Sequence, residues 1–271
     1  MPESQKVALV TGASTGIGAA AAFALAGAGF AVVGTSRDSS QLMDRDGVTF
    51  VDLDVASDES VAAAVTQVID RFGRIDVVVN NAGIGASGAA EENSVQQIQR
   101  VIDINFMGTV RVMKAVLAPM RANGGGRIIN ISSALGFIPA PFMASYSASK
   151  HAIEGYSESV DHEVRQYGVR VLVVEPGYTS TSFDVKALPP DEPLQVYAAQ
   201  RHTFDGIIAA AMKDGDDPAV VAKTIVAAAT DRIPKLRYPA GSVTGRVSKL
   251  RRFVPVGAFD KQIRKLNKLP A

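Results

Sequence analysis

The stretch Lys6-Val-Ala-Leu-Val-Thr11-Gly12-Ala-Ser14-Thr15-Gly16-Ile17-Gly18, running into the alanine-rich segment Ala19–Ala28, decides the fold. Lys6 to Thr11 is a short apolar run of the buried-strand type. The glycines that follow open a helix. Strand, glycine turn and helix in this order begin a dinucleotide-binding unit. Gly12 permits the tight turn, Gly16 lets the backbone approach a pyrophosphate, and Gly18 lets helix and strand pack closely. The exposed amides at the helix N-terminus suit phosphates, and Ser14, Thr15 and Ile17 belong to the same loop.

Outward from this unit, strands alternate with helices. Phe30–Ser36, Val48–Leu53, Ile75–Val79, Gly126–Ile131 and Val169–Glu175 read as further strands, the last stopped by Pro176-Gly177. Ser57 caps a helix reaching Phe72, a long helix spans about Ser94 to Arg121, and another carries Tyr146 and Lys150 to about Tyr167. Repeated β-α-β units with nearly all-apolar strands predict an α/β fold, a Rossmann-type doubly wound parallel sheet with helices on both faces. No internal repeat or linker divides residues 1–271, so one domain is expected.

The chain has 271 residues and no cysteine, which excludes disulfides and thiolate chemistry. His151, His162 and His202 lack metal-ligand spacing, so no metal is expected. A net charge of +1 carries no nucleic-acid signature. The first strand begins too near Met1 for a signal peptide, and no apolar run approaches the roughly 20 residues that span a bilayer. The sequence therefore reads as cytoplasmic.

Tyr146-Ser-Ala-Ser-Lys150 places a phenol and an ammonium four residues apart, on one helix face. A cation beside a tyrosine favours the phenolate, and a tyrosine so tuned can exchange a proton with a carbonyl or alcohol oxygen. Together with Thr11-Gly-x-x-x-Gly16-Ile-Gly18, Asp54, Asn80-Asn81-Ala82-Gly83, Asn105, Ser133 and Pro176-Gly177, this pair resembles the short-chain dehydrogenase/reductase family in its compact branch. The resemblance covers about Lys6 to Thr181, with the motifs in family order.

It implies an oxidoreductase that passes hydride between a nicotinamide and a substrate carbon. Tyr146 would be the general acid or base. Lys150 would tune Tyr146 and hold the nicotinamide ribose, and Ser133 would hold the substrate oxygen. Ser132 is adjacent, but the spacing favours Ser133. Asn105 would anchor a water in a proton relay through Lys150; its alternative reading is a helix-interior Asn bonded to backbone. Asp54, with Val55, would meet the adenine, Asn81, Ala82 and Gly83 would line the cofactor, and Pro176, Gly177, Thr179 and Thr181 would border the nicotinamide.

At the end of the second strand, NAD enzymes usually carry a carboxylate for the ribose hydroxyls. Ser36-Arg37 stands there instead. Arg37 can bind a 2′-phosphate as a bidentate cation, so NADP(H) is expected to be preferred, with NAD(H) possible. Asp38 could instead pair with Arg37. The second basic position of the family, just before Gly16, is Thr15 here.

The substrate walls are expected in Ala134–Ser145, which holds no charge, and in a lid over about 182–217 carrying Leu188, Leu194, Val196, Tyr197, Phe204, Ile207 and Ile208. They suit a small, neutral, largely apolar carbonyl compound or alcohol. Phe137, Phe142 and Met143 could alternatively pack against the lid or a second subunit.

Where acyl-carrier-protein reductases of the family end in a strand, this chain has Arg237-Tyr-Pro-Ala-Gly241 and about 30 further residues, resembling the extended ends of hydroxysteroid-dehydrogenase-like members. From Arg232 to Lys268 there are eleven Lys/Arg and one acid, Asp260, interleaved with Leu250, Phe253, Val256 and Phe259. The sequence favours a solvated helix pair or a subunit contact over membrane contact for this extension, 232–271. The resemblance also implies a homodimer or homotetramer.

Overall fold

The computed structural model describes residues 5–183 and 186–270. Seven parallel strands form one sheet in the order β3-β2-β1-β4-β5-β6-β7. They are β1 (Val7–Val10), β2 (Ala31–Ser36), β3 (Val48–Asp52), β4 (Val77–Asn80), β5 (Gly126–Ile131), β6 (Val169–Pro176) and β7 (Arg237–Ala240). On one face lie α1 (Gly16–Gly27) and, after a further helix α6 (Ala198–Lys213), α7 (Pro218–Thr230). There Ala21, Ala22, Leu25, Val221 and Ile225 pack on Val10, Val32, Val79 and Leu172. On the other face lie α2 (Asp58–Phe72), α4 (Gly108–Ala122) and α5 (Ala144–Val164), burying Val65, Val68, Val112, Val116 and Val160 against Leu9, Val33, Val78 and Val171. This is the doubly wound parallel sheet that the apolar strands imply, because strands covered on both faces cannot alternate polar residues.

Two readings need correction. The helix expected over Ser94–Arg121 is α3 (Val95–Ile102) and α4 joined by a π-helical turn, Asp103–Met107. Such a turn inserts one residue into the ladder and re-aims a side chain, here that of Asn105. The segment from Arg237 is also a strand: β7 adds to β6 from Val173↔Arg237 to Pro176↔Ala240. Pro239 cannot donate to a ladder, but β7 is an edge strand and tolerates it. The same pairing extends β6 through Pro176.

Strand order reverses at β1. The chain moves outward through β2 and β3, then returns to place β4 on the other side of β1. A crevice therefore opens at the carboxyl ends of β1 and β4, where doubly wound sheets hold their ligands.

Candidate active site

The glycine turn after β1 is built as a cradle. Gly12 and Gly16 take φ of +65° and +58°, values open to glycine and costly for other residues. A Cβ on Gly18 would lie 2.2 Å from the Gly12 carbonyl oxygen, so only glycine lets α1 start this close to the loop. Thr15, the N-cap, makes no side-chain cap bond, and the first turn of α1 carries no acid. The helix start thus keeps its amides for an anion, which fits a dinucleotide pyrophosphate. Asn81 locks the cradle from the β4 side: its Nδ2 donates to the carbonyls of Thr11 and Gly12 at 3.0 and 3.1 Å. The Thr11 hydroxyl accepts from the amides of Asn81 and Ala82.

Around this cradle, Thr181 stands over Gly16, its methyl 3.3 Å from where a Cβ would project. Thr179 is buried and its hydroxyl donates to the Gly177 carbonyl. Asp54 accepts from the Ala56 amide through its side chain, and Val55 packs on Gly108. Ser36 ends β2, and Arg37 beyond it is exposed. Asp38 does not pair with Arg37: its carboxylate accepts from the Ser40 amide. Arg37 has no ion pair among the described residues.

Tyr146 and Lys150 lie on the buried face of α5. The Lys150 ammonium sits 5.6 Å from the Tyr146 ring centroid and donates to the Ile131 carbonyl at 2.8 Å. Burial lowers the Lys150 ammonium to about 8, with the charge of Glu154 opposing. Ser133, half-buried after β5, accepts from the Leu135 amide. Ser132 is instead fully enclosed beneath Gly136 and beside Glu154. Asn105 is buried. Its Oδ1 accepts from the Ile84 amide at 2.8 Å, and its Nδ2 donates to the Ile84 carbonyl and the Ser149 hydroxyl. The Asn105 side chain thus bonds the backbone of Ile84, outside its own helix.

A buried acid cluster behind Lys150 escaped the sequence reading. The Arg237 guanidinium pairs with both Glu154 and Glu175, and with the more exposed Glu158. Burial raises the Glu154 carboxyl to about 7, with Glu175 adding and Arg237 opposing; burial raises Glu175 as well. The Ser132 hydroxyl lies beside Glu154 and draws its carboxyl down against burial, while Glu175 Oε2 is enclosed with no hydrogen-bond partner among the described residues. One cation between two enclosed carboxyls leaves a proton to be shared. The signal was present in sequence: Glu154 lies four residues beyond Lys150, on the same helix face.

Over Tyr146 sits an apolar cap. Met143, Tyr146 and Phe204 form a buried cluster, flanked by Leu135, Ala140, Phe142, Phe183 and Ile208. The Phe183 ring lies 5.8 Å from that of Tyr146. Phe142 packs on Phe204 and Tyr197, so Phe142 and Met143 do meet the lid; Phe137 is not part of the cluster. Leu194 and Val196 are exposed and do not line the site. Positions 184 and 185 of the expected lid lie outside the described residues. The lid is pinned by Glu92, which is fully buried, pairs with Arg201 and accepts from the amides of Ala89 and Leu194. Glu92 too was missed, because its partner lies 109 residues away.

A family model described as short chain dehydrogenase matches residues 6–192. The chain belongs to the short-chain dehydrogenase family. This dehydrogenase is 42% identical over 178 residues to the 3-ketodihydrosphingosine reductase of Bacteroides thetaiotaomicron, spanning 66% of this chain and 65% of that protein. It is 35% identical over 262 residues to the uncharacterized oxidoreductase YbbO of Escherichia coli K12, covering 95% of this chain and 93% of that one. Among solved structures, a short-chain dehydrogenase from Streptomyces avermitilis superposes with a TM-score of 0.80 at 32% identity, over 98% of this chain and 96% of the other. The dehydrogenase is therefore an oxidoreductase. Among its described residues no group of His, Asp and Glu could hold a metal, and no helix is long and apolar enough to cross a membrane.

Proposed function

We propose that this dehydrogenase interconverts a neutral, largely apolar ketone and its secondary alcohol, using NADP(H) in preference to NAD(H). The observation that carries the substrate class is the uncharged cap of Met143, Phe142, Phe183 and Phe204 around the Tyr146 ring. A carboxylate or phosphate on the substrate would find no cation in that cap. The named activity of the Bacteroides relative, a 3-ketodihydrosphingosine reductase, supports aliphatic ketones as candidates. The cofactor preference rests on Arg37, exposed and free of Asp38, at the end of β2.

The bound nicotinamide would supply or accept the hydride. In the reducing direction the Tyr146 hydroxyl gives its proton to the ketone oxygen as that oxygen gains charge. The buried Lys150 ammonium stabilises the resulting phenolate through space. Ser133 donates to the same substrate oxygen and holds the carbonyl at the tyrosine. The apolar cap excludes water, so the proton comes from Tyr146 and not from bulk solvent.

The test is NADPH oxidation followed at 340 nm with a panel of aliphatic ketones of increasing chain length, with NADH in parallel. Turnover that rises with chain length and prefers NADPH supports both parts. Equal rates with NADH would remove Arg37 as a phosphate anchor. Turnover confined to charged or sugar-like substrates would remove the apolar reading.

A further inference from the structure

Beyond β7 the chain forms α8 (Ser242–Phe253) and α9 (Val256–Leu266). The inner side of α8 is anchored. Thr244 is buried, its hydroxyl 2.7 Å from where a Cβ on Gly177 would project, and the helix packs on β7 and on the turn 134–136 that follows Ser133. Its outer side is an apolar stripe with no cover: Val243, Leu250 and Phe253 follow at helical spacing and are 67%, 56% and 79% exposed. Val256, at the start of α9, is 75% exposed as well. In α9, Phe259 turns inward under the Arg251 guanidinium, 4.7 Å from its ring centroid, while Lys261, Lys265 and Leu266 face outward. From Ser242 to Lys268, along α8 and α9, the sequence holds eight cations and one acid, Asp260.

We propose that the corner between α8 and α9 docks on an anionic lipid surface, with Leu250, Phe253 and Val256 at the acyl boundary and the surrounding cations at the lipid phosphates. Charge complementarity selects this occupant. A second copy of the chain joined by a two-fold axis would set this cation-rich face against itself. A nucleic acid would neutralise the cations but leave Leu250, Val256 and Leu266 uncovered, with one exposed ring, Phe253, for stacking. An anionic leaflet satisfies both halves of the pattern at once. Because α8 packs on the turn after Ser133, docking would also bring the substrate cleft near the leaflet.

The test uses the whole chain in co-sedimentation with vesicles of phosphatidylcholine alone or phosphatidylcholine with phosphatidylglycerol. Binding is expected to the anionic vesicles only and to weaken with added salt. L250S/F253S is expected to lower the partition coefficient by on the order of tenfold or more, with thermal midpoint and NADPH affinity unchanged. K261E/K265E is expected to lower it while leaving the apolar stripe intact. No binding to anionic vesicles, equal binding to both compositions, or binding unaffected by either variant would each overturn the proposal. Concentration-dependent self-association abolished by L250S/F253S would assign the stripe to a second copy and overturn it too. Failure of ketone turnover would leave this result untouched, because sedimentation does not depend on the reductase reading.

Discussion

Replacing Arg237 by Met tests the buried acid cluster most directly. The methionine keeps much of the apolar stem but removes the guanidinium that pairs with Glu154 and Glu175, which are 5% and 1% exposed. Breaking a buried ion pair by deleting one partner costs about 3–5 kcal/mol, so R237M should lose about 4 kcal/mol near neutral pH. The pH dependence discriminates further. In the wild type, Arg237 keeps one carboxylate charged while Glu154 is raised to about 7. In R237M both carboxyls favour the neutral acid. Unfolded carboxyls titrate near 4.5, so between that value and the raised native value the folded state binds more protons. Stability then falls as pH rises, and returns as pH falls. The variant holds one more such proton than the wild type, worth about 1.4 kcal/mol per pH unit. Its deficit, about 4 kcal/mol at about pH 7, should therefore shrink to roughly 2 kcal/mol at about pH 5.5. Urea denaturation of both proteins at the two pH values measures this. A deficit below about 1 kcal/mol at about pH 7, or one that does not change with pH, would refute the shared-proton cluster.

Three further outcomes follow from the site. Tyr146→Phe removes the transferable proton and keeps the ring packed on Phe183, so turnover should fall by orders of magnitude while NADPH binding, read by fluorescence, persists. Gly18→Ala would force a Cβ to within 2.2 Å of the Gly12 carbonyl; loss of dinucleotide affinity with a lowered thermal midpoint is expected, and normal NADPH titration would contradict the cradle. Glu92→Gln removes the buried charge that holds Arg201 and should free the lid. Faster limited proteolysis within residues 186–213 and a raised KM for long-chain ketones, at unchanged cofactor affinity, are the expected readouts.

The layers of the sheet were legible in the sequence, and so were the candidate site residues, because both are written in local patterns. Apolar runs of strand length, the glycine turn before α1 and the four-residue interval between Tyr146 and Lys150 each act within a few residues of chain. Ser57 is legible as the cap of α2 for the same reason, and it does accept from the Ser60 amide. What escaped was set by partners remote in sequence. Asn105 is legible as a candidate site residue, but its partners Ile84 and Ser149 are set by the π turn. β7 carries a proline and becomes a strand only because β6 offers an edge. Glu92 and Arg201, like Glu154, Glu175 and Arg237, are unremarkable charges singly. Burial makes them matter, since an enclosed carboxylate must find a cation or keep a proton. The exposure of the α8 stripe is likewise invisible in hydropathy: Phe259 and Phe253 are the same residue type six positions apart, and only the tertiary packing decides which one faces water.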